Sequence, residues 1–277
     1  MKHLFFALTA TMMLAACCHK TTDSQLFQTT HMEGKQILMH EAMEPDGSTM
    51  YVENTFRIVW PAEGQMSDDD CQTLLTAYFG DSTATDLTEA SQRWLNNMWV
   101  WDQPELKGLP VNAIPDTIEY TYMHLDASCR QDSNLVTFLI KSESYSAGAA
   151  HGLYSAQYLT YDLQTRRFIQ LADLVDTTLL GEALAHAVQD LDVNADVRNC
   201  LYDEYTLSDR LPLPESFVID STRSTVTAVY SLYDITPYAC GIPAVVLPIY
   251  WLSKHTPLTP YARQLFGPGC SIQEVTQ

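Results

Sequence analysis

The sequence predicts an α+β fold in which helices pack on an antiparallel sheet. Segments with alternating apolar and polar residues come in groups separated by short turn-like stretches, which is typical of hairpins. Segments with apolar residues at helical spacing interrupt these groups without the regular βαβ alternation of a parallel sheet. With 277 residues, 46% hydrophobic and 10% aromatic, the chain can form one large core or two small ones.

The first residues have the layout of a secretory signal. Lys2 precedes an apolar run from Leu4 to Ala16, which is too short to span a bilayer. The segment Leu14-Ala15-Ala16-Cys17 resembles the bacterial lipobox, and this resemblance implies cleavage before Cys17 and lipidation of that cysteine. We therefore expect a signal peptide at 1–16, a polar tether at 17–34, and a protein anchored in the cell envelope by lipid, at the outer membrane or cell surface. The alternative is an ordinary cleaved signal followed by an incidental cysteine.

The chain is strongly acidic. Fifteen Lys and Arg residues stand against 34 Asp and Glu residues, for a formal net charge of -19. This balance argues against binding of nucleic acid or anionic lipid through a basic face. It would instead attract a cationic partner, although an acidic surface is also common among envelope proteins that have no such partner.

Six further cysteines are spread widely along the chain. They are Cys18, Cys71, Cys129, Cys200, Cys240 and Cys270. Disulfides persist outside the cytoplasm, and six cysteines allow 15 full pairings, so one or two bridges with some free thiols are expected. No Cys-x-x-Cys occurs, and the sequence predicts no metal site and no cofactor.

The first part of the chain combines one strand with two helices. Tyr51 to Trp60 alternates and is stopped by Pro61, which predicts a strand. The segment that begins with Ser67-Asp68-Asp69-Asp70 offers a cap and negative charge at a helix start. A second amphipathic helix is predicted from Leu87 to Trp101. Its tryptophans, Trp94, Trp99 and Trp101, either belong to the core or form a carbohydrate platform.

A connector rich in Pro and Gly at 104–115 predicts a boundary between an N-terminal α+β unit at 35–110 and a C-terminal domain at 111–277. Strands and one helix are predicted beyond it, with Asp176 capping the helix and Pro248 marking an edge strand. The strands are predicted at 118–122, 135–145, 153–161, 217–219, 226–232 and 245–249, and the helix at 180–191.

A glycine-containing loop, Tyr145-Ser146-Ala147-Gly148-Ala149-Ala150-His151-Gly152, joins two predicted strands and therefore closes a hairpin. Gly148 and Gly152 would allow positive backbone angles and close approach of the chain. His151 either holds the turn by a hydrogen bond or faces a partner. A second segment, Tyr233-Asp234-Ile235-Thr236-Pro237-Tyr238-Ala239-Cys240-Gly241, places two tyrosines around a bend, where they pack under the hairpin or line a recognition surface.

These two segments resemble, in order, the Tyr...Gly-Gly-Ala-His-Gly and Tyr-x-Ile-Ala-Pro-Tyr-Ala-x-Gly signatures of the RsiV-like C-terminal domain. Tyr161-Asp162 and Leu171-Ala172-Asp173-Leu174 look like the segments between those signatures, and the resemblance covers roughly 115–266. It implies a two-part RsiV-like architecture and a binding role at the envelope. In that family the domain acts as a receptor that holds lysozyme, and in a relative it accompanies a polysaccharide deacetylase, so the resemblance leaves the ligand open. Ala149 and Thr236 depart from the signatures, and the transmembrane and cytoplasmic segments of the anti-sigma factors are not seen, so signalling through a sigma factor is not expected.

Enzymatic patterns are weak. Gly80-Asp81-Ser82 resembles an esterase nucleophile block but follows a predicted helix. Asp162 and Asp173 would be a glycosidase pair if they met in one cleft, and turn-capping aspartates otherwise. Three histidines, His124, His186 and His255, look isolated in the sequence. We therefore expect a protein that is not an enzyme, with an uncharacterised hydrolase as the remaining alternative.

The leading hypothesis is an envelope binding protein that recognises or inhibits a lysozyme-like muramidase. The alternative is a peptidoglycan or glycan-binding module. The candidate ligand-binding residues are Tyr145, Gly148, His151, Gly152, Tyr233, Tyr238 and Gly241, and the candidate lipidation site is Cys17.

Overall fold

The computed structural model describes residues 26–40, 49–96, 118–146, 149–222 and 224–267. These residues form a six-stranded sheet, a three-stranded sheet and eight α-helices, which confirms the α+β class. None of the helices in these ranges is both long and apolar enough to cross a membrane. The predicted signal peptide at 1–16, Cys17 and the predicted boundary near residue 110 lie outside the described residues and stay predictions.

The six-stranded sheet has the strand order β1-β2-β3-β4-β5-β6, and the smaller sheet has the order β7-β8-β9. The strands of the larger sheet are β1 Thr29–His40, β2 Thr49–Pro61, β3 Ile118–Asp132, β4 Leu135–Tyr145, β5 Leu153–Asp162 and β6 Arg167–Phe168. Those of the smaller sheet are β7 Ser216–Asp220, β8 Thr225–Val229 and β9 Ala244–Pro248. The smaller sheet is antiparallel throughout, and β9 forms its edge, as Pro248 predicts.

The larger sheet differs from the predicted antiparallel sheet because β2 and β3 pair in parallel. A parallel pair needs a long crossover, and the chain between β2 and β3 supplies one that contains two helices. The pairs β1–β2 and β5–β6 are antiparallel. The sheet is therefore mixed, and the sequence patterns of the single strands did not reveal the direction of this pairing.

Helix starts follow the predicted caps. The helices are α1 Asp68–Phe79, α2 Leu87–Leu95, α3 Leu171–Leu174, α4 Thr177–Asp190, α5 Ala195–Arg198, α6 Asp203–Thr206, α7 Ile249–His255 and α8 Pro260–Phe266. The Ser67 hydroxyl accepts from the Asp70 N–H at 3.2 Å, and the Asp176 carboxylate accepts from the Thr178 N–H at 2.9 Å. Helix α2 ends at Leu95, before the predicted end at Trp101.

Strand β1 corrects the predicted tether at 17–34. Residues from Thr29 onward are paired with β2 along the whole length of β1, so the segment 29–34 is part of the sheet. The exposed residues of β1 include His31, Glu33 and Lys35, and the alternate residues between them are only half-buried. Because neither face of this stretch is fully buried, its sequence shows little apolar alternation, and it therefore was not predicted to be a strand.

Backbone packing groups the chain into two units. The first unit comprises Met1–Ser128 with Ile140–Tyr154, and the second comprises Cys129–Leu139 with Ser155–Gln277. The first unit has an aromatic core in which Phe56 meets Phe79 and Trp94 edge to face, with ring centroids 5.6 and 6.3 Å apart. Trp94 is therefore half-buried against this aromatic core, whereas Trp99 and Trp101 lie outside the described residues.

The second unit is built on α4 and the smaller sheet. Leu184, Ala187 and Val188 on α4 are fully buried, as is Val245 on β9. The buried Asn194 links the two elements: its amide donates to the Ala187 carbonyl, and its side-chain oxygen accepts from the Val246 N–H at 2.8 Å. This packing gives the loops of the second unit a rigid support.

Candidate functional site

The predicted hairpin loop connects β4 and β5, which are neighbours in the sheet. The Ala149 N–H donates to the Ser146 carbonyl at 3.0 Å, and the Tyr145 hydroxyl donates to the Ala149 carbonyl at 3.3 Å. His151 is exposed, and its Nδ1 lies 3.0 Å from the Gly152 carbonyl oxygen. The histidine thus contacts the loop backbone, as one of its two predicted roles requires.

Position 152 requires glycine because the backbone of the neighbouring strand comes very close to it. A Cβ atom at this position would lie 2.9 Å from the Ser144 carbonyl oxygen, which is closer than real Cβ atoms come to backbone. The expectation of a positive backbone angle at Gly152 is wrong, because the positive-φ glycines of the described chain are Gly64, Gly80, Gly241 and Gly267. Gly148 lies outside the described residues.

A row of polar and aromatic side chains crosses the first unit beside this loop. We call it the hairpin patch, and its members are Lys35, Glu53, Tyr122, His124, Glu143 and Tyr145. The Tyr122 ring stacks on His124 at 4.5 Å and on Tyr145 at 5.9 Å. The register places Glu53 of β2 opposite Tyr122 of β3, which brings a carboxylate beside the stacked rings. Among the predicted site residues, only Tyr145 belongs to this row.

The carboxylates of the hairpin patch are held by neighbouring donors. The Tyr122 hydroxyl donates to Glu143 at 2.8 Å, and Lys35 lies 3.0 Å from Glu53. The other oxygen of Glu53 lies 3.7 Å from Nε2 of His124. Glu143 is exposed, whereas Glu53 is mostly covered. The patch therefore presents one carboxylate to solvent and a second carboxylate that is paired with Lys35 and lies near the His124 ring.

Exposed apolar side chains accompany the patch. Leu153 and Tyr154, at the start of β5, are 52% and 37% exposed, and Ile37 on β1 is 41% exposed. Ile37 pairs with Glu53 in the sheet register, so the two side chains lie on the same face of the sheet. Apolar side chains that remain exposed next to ordered polar groups are typical of a recognition surface.

The second motif forms a compact loop, residues 231–243, which we call the Tyr-Pro loop. The Tyr233 and Tyr238 rings lie 5.9 Å apart, and Tyr233 is 46% exposed. Tyr233 has a φ of 69°, a left-handed conformation that a tyrosine rarely adopts. Gly241 has a φ of 75° and a ψ of -160°, which only glycine adopts readily. Tyr233 is thus exposed at a strained backbone position, while Tyr238 is half-buried.

The Tyr-Pro loop is anchored by a buried apolar side chain and by a disulfide bond. Ile235 is fully buried, and its carbonyl accepts from the Tyr202 N–H at 3.0 Å. Cys240 in the loop forms a disulfide with Cys200, one of the predicted one or two bridges.

Cys71 and Cys129 are half-buried free thiols, and burial raises the pKa of each. The remaining cysteines lie outside the described residues.

Carboxylates also lie near the Tyr-Pro loop. Asp234 accepts from the Ser231 N–H at 2.7 Å, and the Ser231 hydroxyl donates to Glu215 at 2.6 Å. Burial raises the pKa of Tyr205, with the nearby Glu204 and Asp234 carboxylates acting in the same direction. Both motif regions thus combine tyrosines with carboxylates, although the hairpin belongs to the first unit and the Tyr-Pro loop to the second.

Asp162 serves the turn between β5 and β6. Its carboxylate is 3% exposed and accepts from the Gln164 N–H, the Thr165 hydroxyl and the Tyr261 hydroxyl, each at 2.8 Å. Burial and the Asp162 carboxylate raise the pKa of Tyr261 well above its ordinary value. Three donors to one buried carboxylate account for its burial structurally, in agreement with the turn-capping interpretation.

Asp173 has a different structural role. It forms a capping box with Gln170 at the start of α3 and an ion pair with Arg167 at 2.6 Å. Burial acts to raise the pKa of Asp173, but the hydrogen bonds from Arg167 and the Gln170 N–H together hold it below its ordinary value. Each aspartate is therefore committed to local structure, and the glycosidase-pair alternative gains no support from their contacts.

A polar cleft of about 360 Å³ opens beside Asp162 in the second unit. Only one of the two aspartates of the proposed glycosidase pair lines it, because Asp173 is not part of its wall. The wall consists of Asp132, Ser133, Asn134, Leu135, Asp162, Gln164, Thr165, Ser221, Tyr261, Gln264 and Leu265. Amides, hydroxyls and carboxylates dominate, which suits a ligand rich in hydroxyl groups.

Gly80-Asp81-Ser82 is a helix end and not a nucleophile turn. Gly80 caps α1 with a φ of 69°, and its N–H donates to the Thr76 carbonyl. Hydrogen bonds from Thr83 and from Arg93 lower the pKa of Asp81 to about 2. The aspartate therefore closes the loop that leads into α2.

Sequence reasoning missed one side-chain pair. His186 and His255 look isolated along the chain, but their ring centroids lie 6.0 Å apart. His186 lies in α4 and His255 ends α7, and only the packing of these helices brings the rings together. No pattern in the sequence indicates this pairing. Within the described ranges, no group of three or more His, Cys, Asp or Glu side chains is arranged to hold a metal ion.

Comparison with known proteins identifies the fold. No protein-family model and no curated protein matches the chain. A DUF3298 family member from Bacteroides fragilis aligns with a TM-score of 0.56 at 19% identity, over 86% of this chain and 96% of its own. A DUF3298 protein from Pseudomonas aeruginosa aligns with a TM-score of 0.46 at 15% identity, over 86% and 97% of the two chains. RsiV-like C-terminal domains are related to DUF3298. The chain is thus similar in fold to the DUF3298 member from Bacteroides fragilis.

Proposed function

We propose that this protein is a lipid-anchored envelope protein that binds a cationic protein of the lysozyme type. The observation that carries the proposal is the hairpin patch, where stacked tyrosines adjoin an exposed carboxylate on Glu143 and a fixed carboxylate on Glu53. The Tyr-Pro loop, with Tyr233 exposed beside carboxylates, is a second candidate contact region.

The chemistry of the hairpin patch suits a protein partner that carries Arg and Lys. Tyrosines dominate the binding energy of many protein interfaces, and their ring faces and hydroxyls accept cationic side chains. Leu153, Tyr154 and Ile37 add exposed apolar area beside the charged groups. The formal net charge of -19 would accelerate encounter with a cationic partner and make binding sensitive to salt.

The resemblance to RsiV-like domains supports lysozyme as the first ligand to test. The fold likeness to DUF3298 proteins is compatible with that resemblance but carries no ligand information. A partner that is covered across its active-site cleft would also be inhibited. The hairpin patch predicts contact but does not by itself predict inhibition.

The experiment is calorimetric titration of the purified protein with lysozyme at low and moderate salt. We expect saturable binding that weakens as salt rises, because exposed charges are screened within about 10 Å at 0.1 M ionic strength. Glu143→Gln should weaken binding and flatten its salt dependence, and Tyr145→Ala should weaken it at every salt concentration.

Asp209→Asn is the matched control for Glu143→Gln. Asp209 is exposed in the second unit and belongs to neither motif, so its substitution removes the same charge elsewhere. If Asp209→Asn and Glu143→Gln have equal effects, net charge alone drives binding and the hairpin patch is not the contact surface. If no binding occurs at low salt, lysozyme is not the ligand.

A second candidate function, glycan binding, is favoured by the polar cleft of about 360 Å³ in the second unit. Its amides, carboxylates and hydroxyls match the groups that bind sugar hydroxyls, and its volume lies at the lower end of small-molecule sites. A peptidoglycan pull-down that Gln264→Ala weakens, with no effect of Glu143→Gln, would favour this function over protein binding.

The lipid anchor is tested separately. Cells that express the protein are labelled with a fatty-acid analogue, and the label should disappear with Cys17→Ser. Retention of the label in that variant would contradict the proposed anchor while leaving the binding proposal in place.

A further inference from the structure

The second unit brings two histidines together at its surface, apart from both motifs. We propose that His186 and His255 form a binding site for a divalent transition-metal ion such as Zn²⁺, Ni²⁺ or Cu²⁺. Their ring centroids lie 6.0 Å apart, and the planes are inclined by 37°. At a tetrahedral angle, two imidazoles bound to one ion at about 2.0–2.1 Å per nitrogen have centroids about 5 Å apart, which is about 1 Å less than here. The pair is therefore close to a chelating geometry, and the proposal does not depend on the binding function proposed above.

The tautomer of His255 suits metal binding. Its Nδ1 lies 2.9 Å from the Trp251 carbonyl oxygen. Because a carbonyl can only accept, Nδ1 carries the proton, and Nε2 of the neutral ring keeps its lone pair. Histidine ligands of metals commonly donate their other N–H to a backbone carbonyl in this way.

The orientation of His255 is fixed as well. Its ring stacks on the buried Trp251 ring at 3.7 Å with an interplanar angle of 17°. Lys254, the nearest neighbour along the chain that carries positive charge, has its ammonium 6.0 Å from the Tyr250 ring centroid. The lysine is thus engaged with Tyr250, and the His255 ring is presented as a ligand with little conformational freedom to lose.

His186 is held by the helix that carries it. It is exposed, while Ala185 and Ala187 on either side of it are buried in the core. Helices α4 and α7 pack directly against each other, so the backbones that carry the two rings cannot drift apart without disrupting that core. Both ligands are therefore presented from rigid elements, which favours a defined site.

The ligand set determines the class of ion. Imidazole nitrogens suit Zn²⁺, Cu²⁺ and Ni²⁺, whereas Mg²⁺ and Ca²⁺ require oxygen ligands. No third His, Cys, Asp or Glu of the described chain completes the site, so the other coordination positions are left to water or to an external ligand. This arrangement is an open site and not a closed structural one. The acidic balance of the chain favours any cation electrostatically.

The test is calorimetric titration of the purified protein, free of any histidine tag, with Zn²⁺ and with Ni²⁺. We expect one saturable site, and His186→Ala and His255→Ala should each lower its affinity by at least about tenfold. Mg²⁺ should not compete. His31→Ala is the matched control, because His31 is exposed on β1 in the first unit and should leave the affinity unchanged.

A second readout gives the location of the ion. With substoichiometric paramagnetic Ni²⁺, the ring NMR signals of His186 and His255 should broaden before those of the other histidines. Both histidines are exposed, but His255 also stacks on Trp251, so His186→Ala is the safer variant. Absence of saturable binding, affinity unchanged in both variants, or broadening that begins at other histidines would overturn the proposal.

Discussion

The hairpin patch and the Tyr-Pro loop use similar residues but are held in place by different forces. The hairpin patch is ordered by stacking between strands, a hydrogen bond from Tyr122 to Glu143 and the close backbone approach at Gly152. The Tyr-Pro loop is ordered by a disulfide at Cys240 and the buried Ile235. The first region thus depends on many weak contacts along a sheet, and the second depends on one covalent bond and one apolar anchor.

This difference predicts unequal sensitivity to perturbation. Each weak contact between exposed side chains contributes little to the free energy of unfolding. Single substitutions in the hairpin patch should therefore alter binding more than stability. A cross-link restricts the unfolded chain, so its loss should reduce stability strongly. The predictions below test this contrast, beginning with the largest effect.

Removal of the disulfide should have the largest effect. Cys200 and Cys240 are separated by 40 residues in sequence, and closing a loop of that length stabilises by about 4 kcal/mol in the chain-entropy account. The double variant Cys200→Ser with Cys240→Ser should lower the midpoint of urea unfolding, and hydrogen exchange should accelerate in residues 231–243. Exchange in the β4–β5 hairpin should change much less, and equal acceleration in both regions would contradict the contrast.

Gly152→Ala should have the next largest effect. The added Cβ would lie 2.9 Å from the Ser144 carbonyl oxygen, so the hairpin backbone has to shift. Overpacking of this kind costs about 1–3 kcal/mol, measured as a change in the free energy of unfolding. Ala150→Ser, at an exposed position of the same loop, is the control and should be nearly neutral. A neutral Gly152→Ala variant would show that close approach is not required.

The Tyr122–Glu143 hydrogen bond should contribute less. A double-mutant cycle with Tyr122→Phe and Glu143→Gln should give a coupling energy of about 0.5 kcal/mol, because Glu143 is exposed and water competes for it. The coupling is measured by urea unfolding of the two single variants, the double variant and the parent. Zero coupling would mean that the bond does not form in solution.

Acid should produce the smallest and most gradual effect. The pKa of Asp81 is lowered to about 2 by hydrogen bonds from Thr83 and Arg93. A carboxylate with a lowered folded-state pKa stabilises the fold above its unfolded pKa near about 4, and this contribution is lost as the pH falls toward about 2. Thermal unfolding of Asp81→Asn should therefore depend less on pH in this interval than that of the parent. An identical dependence of the melting temperature on pH in the two proteins would contradict the lowered pKa of Asp81.

The sequence predicted the elements whose patterns are local. The helix capped by Asp176 and the edge position of Pro248 follow from hydrogen-bonding and backbone rules, and both are found. The turn-capping role of Asp162 was likewise accessible, because aspartates favour turns for a local physical reason.

The sequence could not predict features that depend on distant pairing. The β1 strand lacks apolar alternation, and the parallel β2–β3 pair depends on a crossover and not on the strands themselves. The choice of Cys200 and Cys240 among 15 full pairings, and the meeting of His186 with His255, depend on tertiary packing. The Tyr122–His124 part of the hairpin patch was missed because its position beside Tyr145 follows from the strand order alone.

The most direct test of the proposed function is a hydrogen-exchange footprint of lysozyme on the purified protein. The proposal predicts slower exchange on binding in residues 143–154, which include the end of β4, the hairpin loop and the start of β5. Glu143→Gln should weaken this protection, while Asp209→Asn should leave it unchanged. Binding with protection only outside the hairpin patch, or no protection anywhere at saturating lysozyme, would contradict the proposal that the hairpin patch recognises this partner.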